Sequence, residues 1–401
     1  MPYGNIYRPD QLFLPQQGLL RFAAGAPTPF FLYNEDGIRK TARTIQGSFC
    51  WNPGHRPWFP LMANCTPAVL RILREEGFGV LAQSEGELLL ARRCGFSGDE
   101  ILLHTPAMSD SLAALAKELG CGVIFDSPGQ IEKMADRLPK RCLLRYHPGK
   151  MPNGADFTAN TDKNKSGMSS DQIYGAAALL CRLGVEEIGL HCHLAANAQS
   201  ETYYPAAAAL QFSFAVQLQD QLGICISCCD LGGGIGINKP LQNLPRIGTM
   251  IREHFRTAFP GSNGPALYTE LGRYALGRHG ILVSRVVEVR ERSRRYMILD
   301  ASAAELPRLV LHRGNQHISV VGDCTRQGRL VYSVHGCTAD SLDRFNDRAV
   351  LPEVAPGTLV AIHGVGAYGE SARCRLCMLP DRESYLYTRE GLIVSAAMVK
   401  A

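Results

Sequence analysis

The sequence predicts an α/β protein: a (β/α)8 barrel followed by a C-terminal β domain. Three observations predict it. From Pro27 onward, short apolar runs alternate with longer amphipathic segments. Eight such runs precede residue 275. Beyond Gly280 the runs become strand-like and closely spaced, and helical patterns grow scarce. Alternating strand and helix patterns signal a parallel sheet flanked by helices. Eight βα units over about 250 residues is the usual extent of a closed barrel. An open doubly wound sheet is the alternative at this level.

The eight runs are Trp58–Asn64, Gly79–Ala82, Glu100–His104, Gly122–Asp126, Cys142–Tyr146, Glu187–His193, Ile224–Leu231 and Ala266–Glu270. Helical spacing falls between most of them. In Pro67–Glu76, the residues Val69, Leu70, Ile72 and Leu73 share one face. Glu85–Cys94, Asp110–Leu119, Asp171–Leu183 and Ser200–Leu222 read the same way. The stretch 147–170 is rich in Asn, Asp, Gly and Lys and reads as an exposed excursion. Six strand-like runs follow Gly280: Ile281–Glu288, Arg295–Asp300, His317–Gly322, Arg329–Val334, Gly357–His363 and Glu383–Tyr387. The expected organisation is an N-terminal segment 1–27 packed with the β domain, a barrel over 28–275 and a β domain over 276–401.

Composition narrows the function classes. With 46% hydrophobic and 20% charged residues in 401, the chain is an ordinary globular one. A net charge of +5 is too small to imply nucleic acid as a partner. No apolar run is long enough to span a membrane, and no secretory signal pattern opens the chain. The 14 cysteines therefore read as reduced thiols, and a cytoplasmic location is expected. Basic residues are lopsided, with nine lysines against 33 arginines. A chemistry that needs a reactive amine has few candidates.

In a barrel, function sits where strands end. The sixth run ends in His191-Cys192-His193, the seventh leads into Asp230-Leu231-Gly232-Gly233-Gly234-Ile235-Gly236, and the eighth into Glu270-Leu271-Gly272-Arg273. Glycines let backbone N–H groups approach an anion and cradle a phosphate; a plain turn accounts for them equally well. Arg273 adds a forked donor nearby. His193 reads either as a functional imidazole or as a histidine satisfied at a strand end. Cys192 alternates to the opposite face, so the three cannot easily share a metal. Cys225 to Cys228 and Cys374 to Cys377 have CxxC spacing without a second pair at zinc-finger distance, so no metal is expected. The Arg290–Arg295 run reads as a solvated hairpin.

Further ordered landmarks join these: Ala63-Asn64-Cys65-Thr66-Pro67, Ser84-Glu85-Gly86-Glu87-Leu88, Arg145-Tyr146-His147-Pro148 and Gly366-Ala367-Tyr368-Gly369. Taken together, the set resembles the fold-type III pyridoxal-phosphate decarboxylases, most closely the diaminopimelate decarboxylase branch, from about Pro27 to the C-terminus. The resemblance implies an alanine-racemase-like barrel, a C-terminal β domain and a homodimer whose active site is shared between subunits. It implies that His193 stacks on the pyridine ring. Gly232, Gly233 and Gly234 hold the phosphate, with Gly272, Arg273 and Tyr368 beside it. Glu270 pairs with the protonated ring nitrogen, and Arg308 and Asp340 match substrate positions.

The departures from the family fall on catalytic positions. Met62 stands where the resemblance places the Schiff-base lysine, and a thioether forms no imine. Ala339 occupies the slot of the proton-handling cysteine, with Cys337 two residues away. Ala195-Ala196 replaces a Gly-Ser, and Glu370-Ser371-Ala372-Arg373-Cys374 replaces an aromatic-Asn element. Four independent departures point to natural divergence rather than one engineered change. General acid–base groups are each worth about 10²–10⁴-fold, so the expectation is lost or strongly reduced decarboxylase activity. Pyridoxal phosphate, if held, would be held non-covalently, and the small-molecule ligand would be an amino acid or a phosphorylated metabolite. Three alternatives stay open: an active lyase on diaminopimelate or a related basic amino acid, a regulatory paralogue, and a thiol enzyme using Cys337 or Cys374.

Overall fold

The computed structural model describes residues 12–149, 165–237, 241–261, 264–307, 314–322, 329–374 and 376–397. Strand β1 (Phe30–Asn34) comes first and stands apart. The next eight strands close into a parallel barrel in chain order: β2 (Arg56–Pro60), β3 (Gly79–Ala82), β4 (Ile101–His104), β5 (Gly122–Phe125), β6 (Arg141–Arg145), β7 (Glu187–His191), β8 (Ile226–Asp230) and β9 (Ala266–Thr269). The sheet closes where β2 pairs with β9.

Alternation along these strands produces two cores. Trp58, Leu81, Leu102, Ile124, Leu143, Cys228 and Tyr268 form a separate cluster that fills the barrel. Their neighbours Phe59, Val80, Leu103, Val123 and Leu144 join the larger core packed against the helices. Glycines make room for the largest filler: a Cβ on Gly79 would meet the Trp58 ring.

Ten helices lie among the described residues: α1 (Gln16–Gly25), α2 (Glu35–Phe49), α3 (Pro67–Glu75), α4 (Glu85–Arg93), α5 (Asp110–Glu118), α6 (Pro128–Lys133), α7 (Ser170–Arg182), α8 (Tyr203–Leu222), α9 (Leu244–Ala258) and α10 (Gly272–Leu276). Local chemistry sets several boundaries. The Ser84, Ser109 and Ser169 side chains accept from the backbone N–H groups of Glu87, Leu112 and Gln172, capping α4, α5 and α7. Helix α8 ends at Gly223, whose φ is +64°. Among the described residues, no helix is long and apolar enough to cross a membrane.

The β domain is a mixed sheet in the order β14-β13-β11-β10-β1-β16-β17, with β12 and β15 joined to it through β10. Its strands are β10 (Gly280–Glu291), β11 (Arg295–Leu299), β12 (Ile318–Val321), β13 (Leu330–His335), β14 (Arg344–Leu351), β15 (Leu359–His363), β16 (Ser384–Tyr387) and β17 (Ile393–Ser395). The Arg290–Arg295 run is the β10–β11 hairpin.

Three features differ from the sequence expectation. Strand β1 falls within 28–275 yet pairs with β10 and β16, so its apolar residues serve the other sheet. The first barrel strand stops at Pro60 rather than Asn64. Leu61–Ala63 form a 3-10 turn, and the loop 366–368 takes up neighbouring polar groups: Tyr368 N–H donates to Ala63 O at 2.7 Å and Asn64 Nδ2 donates to Gly366 O at 3.0 Å. Strands β14 and β17 and helices α2, α6 and α9 add to the elements read from sequence. On the β-domain side of α1, Leu19 and Ala23 pack with Phe30, Leu32, Ile281 and Val283.

Gly248 of α9 lies against the end of α2, where a Cβ would sit on the Ser48 carbonyl oxygen. Gly248→Ala should therefore lower unfolding free energy by about 1–3 kcal/mol through overpacking. Gly18→Ala in α1, with nothing near its Cβ position, should be neutral or stabilising by about 0.4–1 kcal/mol. Urea unfolding midpoints of both variants measure the contrast.

Candidate cofactor site

The C-terminal ends of the barrel strands open on a pocket. Met62 and Gln83 form one wall, His104 and Arg145 another, His191, His193 and Glu270 the floor, and Gly234, Arg273 and Tyr368 the far side. Tyr368 comes from the β domain, after β15, so both domains build the site.

The floor is a buried polar cluster. Ligand-type atoms of His191, Asp230 and Glu270 lie within 4.8 Å of one another. His191 Nε2 is 3.5 Å from Glu270 Oε1, close enough for electrostatic attraction but not aligned as a hydrogen bond. Burial disfavours charge on every member. At His191 burial wins over the attraction of Glu270, and its titration falls below the usual imidazole range. At Glu270 burial is outweighed by His191, His193 and His104, which hold it down to about 2. At Asp230 burial and the Glu270 charge act together and push the carboxyl well above its usual range. The two carboxyls are therefore pushed apart: Glu270 is the more acidic and Asp230 the one that holds its proton to higher pH.

The glycine turn is tied to this floor. Asp230 Oδ1 accepts from Gly232 N–H at 2.9 Å. Gly233 N–H donates to His193 Nδ1 at 3.2 Å. Gly232 O accepts from Glu270 N–H at 2.7 Å and from the Tyr204 hydroxyl at 2.8 Å. Gly232 and Gly234 adopt φ of +62° and +111°, which glycine tolerates best. Sequence reasoning assigned three amides to a phosphate. The structure engages those of Gly232 and Gly233 within the fold, leaving Gly234 as the pocket-lining member. Burial lowers His193 to about 4, so its ring is neutral at neutral pH.

Arg273 lies over the Tyr368 ring, 4.7 Å from its centroid, at the start of α10. The side wall was not anticipated from sequence. Arg145 Nη1 donates to His104 Nε2 at 3.1 Å, and Asp126 Oδ1 lies 3.6 Å from the same guanidinium nitrogen. Burial opposes charge on Asp126, but His104 and Arg145 pull it below the usual carboxylate range. His104 and Arg145 are the last residues of β4 and β6, and that position was the available signal.

Met62 reaches the pocket with 37% of its surface exposed. Gln83 Nε2 donates to its Sδ at 3.1 Å, and its carbonyl accepts from Ser371 Oγ at 2.9 Å. Among the described residues no lysine lines this pocket. Lys40 pairs with Asp36 on α2, and Lys140 lies beside Glu186 and Glu187, at the opposite end of β7. Lys165 is exposed. Arg308, Lys150, Lys163, Lys239 and Lys400 lie outside the described residues.

Ala339 and Asp340 are not brought to the pocket of their own chain. They sit exposed on the turn between β13 and β14. Asp343 organises that turn by accepting from Ala303 N–H, Thr338 N–H and Thr338 Oγ1. Burial raises the Cys337 thiol, which opposes thiolate formation. Cys374 and Cys377 are exposed and also lie away from the pocket.

A barrel whose mouth holds a buried, ionised carboxylate, an imidazole beside it and an arginine near a glycine turn defines a pyridoxal-phosphate type of site. The chain belongs to the pyridoxal-dependent decarboxylase family: residues 35–277 match its pyridoxal binding domain. Protein TabA of Pseudomonas amygdali pv. tabaci is 30% identical over 86% of this chain and 82% of its own length. Diaminopimelate decarboxylase of Deinococcus radiodurans is 27% identical over 90% of each chain. The fold matches that of Helicobacter pylori diaminopimelate decarboxylase complexed with L-lysine, with a TM-score of 0.85, 21% identity and coverage of 94% of this chain and 95% of that one. It also matches Vibrio vulnificus lysine/ornithine decarboxylase complexed with putrescine, with a TM-score of 0.79, 19% identity and coverage of 92% and 97%.

Pyridoxal phosphate is the family's cofactor. The floor fits its ring: Glu270 Oε1 is buried without a hydrogen-bond partner, as an acceptor for a protonated ring nitrogen would be. The covalent anchor does not fit, because Met62 offers no amine.

Asp230 supplies a pH test. Its raised folded value means that its contribution is complete below the unfolded value of about 3.9 and is lost as pH rises toward the folded value. Asp230→Asn should remove that loss. The urea midpoint of the variant minus that of the parent should grow as pH rises above about 4; parallel pH curves would contradict the raised value.

Proposed function

We propose that this chain is a decarboxylase-family protein that holds pyridoxal phosphate without a covalent link, and that its amino-acid decarboxylase activity is lost or strongly reduced. One observation carries the reading: residue 62 enters the pocket as a thioether hydrogen-bonded to Gln83. When bound, pyridoxal phosphate supplies an electron sink for charge released at a substrate α-carbon. Each residue has a part in holding it. Glu270 would keep a proton on the ring nitrogen, and His193 would offer its face to the ring. Gly234 and Arg273, the latter stacked on Tyr368, would hold the phosphate end.

Met62 can neither hold an aldehyde nor carry a proton at the α-carbon. Each missing acid–base group typically costs about 10²–10⁴-fold, and such losses do not simply add. The ligand class is an amino acid or a phosphorylated metabolite. The basic wall of Arg145 and His104 supports an anionic group at that side.

The chain works as a homodimer in this reading. The turn bearing Ala339 and Asp340 is exposed, open to a second copy's pocket as the family resemblance implies. Ala339 would bring no thiol there. The 13 described cysteines are all free thiols, which supports a cytoplasmic location.

Purified protein mixed with pyridoxal phosphate should bind it reversibly in equilibrium dialysis. Borohydride treatment should leave the intact mass unchanged. Carbon dioxide release from diaminopimelate should stay far below the usual enzyme range of about 1–10³ s⁻¹. A borohydride-fixed adduct, or turnover within that range, would replace this reading with the active-lyase one. Met62→Lys should gain a fixed adduct that the parent lacks.

A further inference from the structure

We infer that Glu370 is the positioning residue for position 62 and for Tyr368, tying the turn after the first barrel strand to the β-domain loop above it. The inference shares the pocket of the proposed function but does not require that anything occupy it. Glu370 Oε2 accepts two hydroxyl hydrogen bonds, from Tyr33 at 2.7 Å and from Thr66 at 2.9 Å. Tyr33 lies fully buried in β1, so one acceptor fastens the loop to both the β-domain sheet and the barrel.

Thr66 shows where the binding energy goes. It occupies the N-cap of α3, yet its hydroxyl makes no capping bond. That hydroxyl is directed to Glu370 instead, although capping is the usual role of threonine there. Hydrogen bonds to an ionised carboxylate are shorter and stronger than neutral ones, which accounts for the preference.

Three more contacts run between the same two segments. Ser371 Oγ donates to the carbonyl of Met62 at 2.9 Å, Tyr368 N–H to Ala63 O at 2.7 Å, and Asn64 Nδ2 to Gly366 O at 3.0 Å. Asn64 Oδ1 in turn accepts from Thr66 N–H at 2.8 Å. The loop needs this support, because Tyr368 has a φ of +60°, a conformation that non-glycine residues disfavour. Glu370 and Ser371 thus hold residue 62 and Tyr368 in fixed relation across the pocket.

Hydrogen exchange on the full chain tests this. In Glu370→Ala, the amides of Tyr368 and Thr66 should exchange about tenfold faster, the scale of one lost hydrogen bond. Amides of the opposite barrel strands β5 and β6 should keep the parent rate. Glu370→Gln retains an oxygen acceptor and should restore most of the protection. Ser371→Ala provides a second variant and should loosen the same segments while leaving β5 and β6 unchanged. Unchanged exchange at Tyr368 and Thr66 in both alanine variants would overturn the inference, as would uniform acceleration across the barrel.

A second readout uses Met62→Lys with added pyridoxal phosphate. The new amine condenses with the aldehyde, water leaves, and borohydride delivers hydride to the resulting C=N bond. Adding Glu370→Ala should slow formation of the fixed adduct at least about tenfold, the same one-bond scale, and Glu370→Gln should not. Equal rates with Glu370→Ala would overturn the positioning role. If Met62→Lys alone captures no cofactor, that result counts against the proposed function, and exchange decides the positioning role.

Discussion

Glu270 is only 6% exposed at the floor of the pocket, and a carboxylate removed that far from water must be compensated by its surroundings. His191, His193 and His104 favour its ionised form, and Asp230 beside it is the carboxyl whose titration is pushed up. Asp230 in turn fixes Gly232, and Gly232 is held by Glu270 N–H and Tyr204. From β9 back to α8, a sequence of contacts is settled by one buried charge. Glu270 Oε1 still has no hydrogen-bond partner and faces the pocket.

This arrangement makes the floor of the pocket independent of the residue at position 62. Little in the floor depends on residue 62. Gln211 Nε2 bonds Asp230 O, and Ala198 N–H bonds Gly234 O, both for the sake of backbone groups that burial would otherwise leave unsatisfied. Changing Met62 alters chemistry and leaves the scaffold almost untouched. Removing a floor residue would strand a charge or a carbonyl.

The barrel was legible because parallel strands buried on both faces read as unbroken apolar runs. Strand β14 was not, since its sequence Arg-Phe-Asn-Asp-Arg-Ala-Val-Leu carries charges on its half-exposed face. Strand β1 looks like any apolar run, and only pairing with residues some 250 positions away assigns it to the second sheet. In the site, the positions of His193, Glu270, Arg273 and Tyr368 followed from strand ends and family motifs. That Asp230 and His193 accept from the amides of Gly232 and Gly233 could not be read from sequence. The contacts of Gln83 and Glu370 were not readable for a related reason. Their partners, Met62, Tyr33 and Thr66, are neighbours only in space.

The pairing of β1 with β10 also governs how this chain is made. Phe30 meets Val283 and Tyr33 meets Gly280. At the usual pace of synthesis, β1 waits about 12–50 s for its partner to be translated. Throughout that interval the barrel grows beside an apolar strand with an open edge. The sheet can seal only once nearly the whole polypeptide has left the ribosome. Late closure ties the second sheet to completeness: a product that stops before Ser384 leaves one edge of β1 without its β16 partner, and exposed strand edges invite association with other chains.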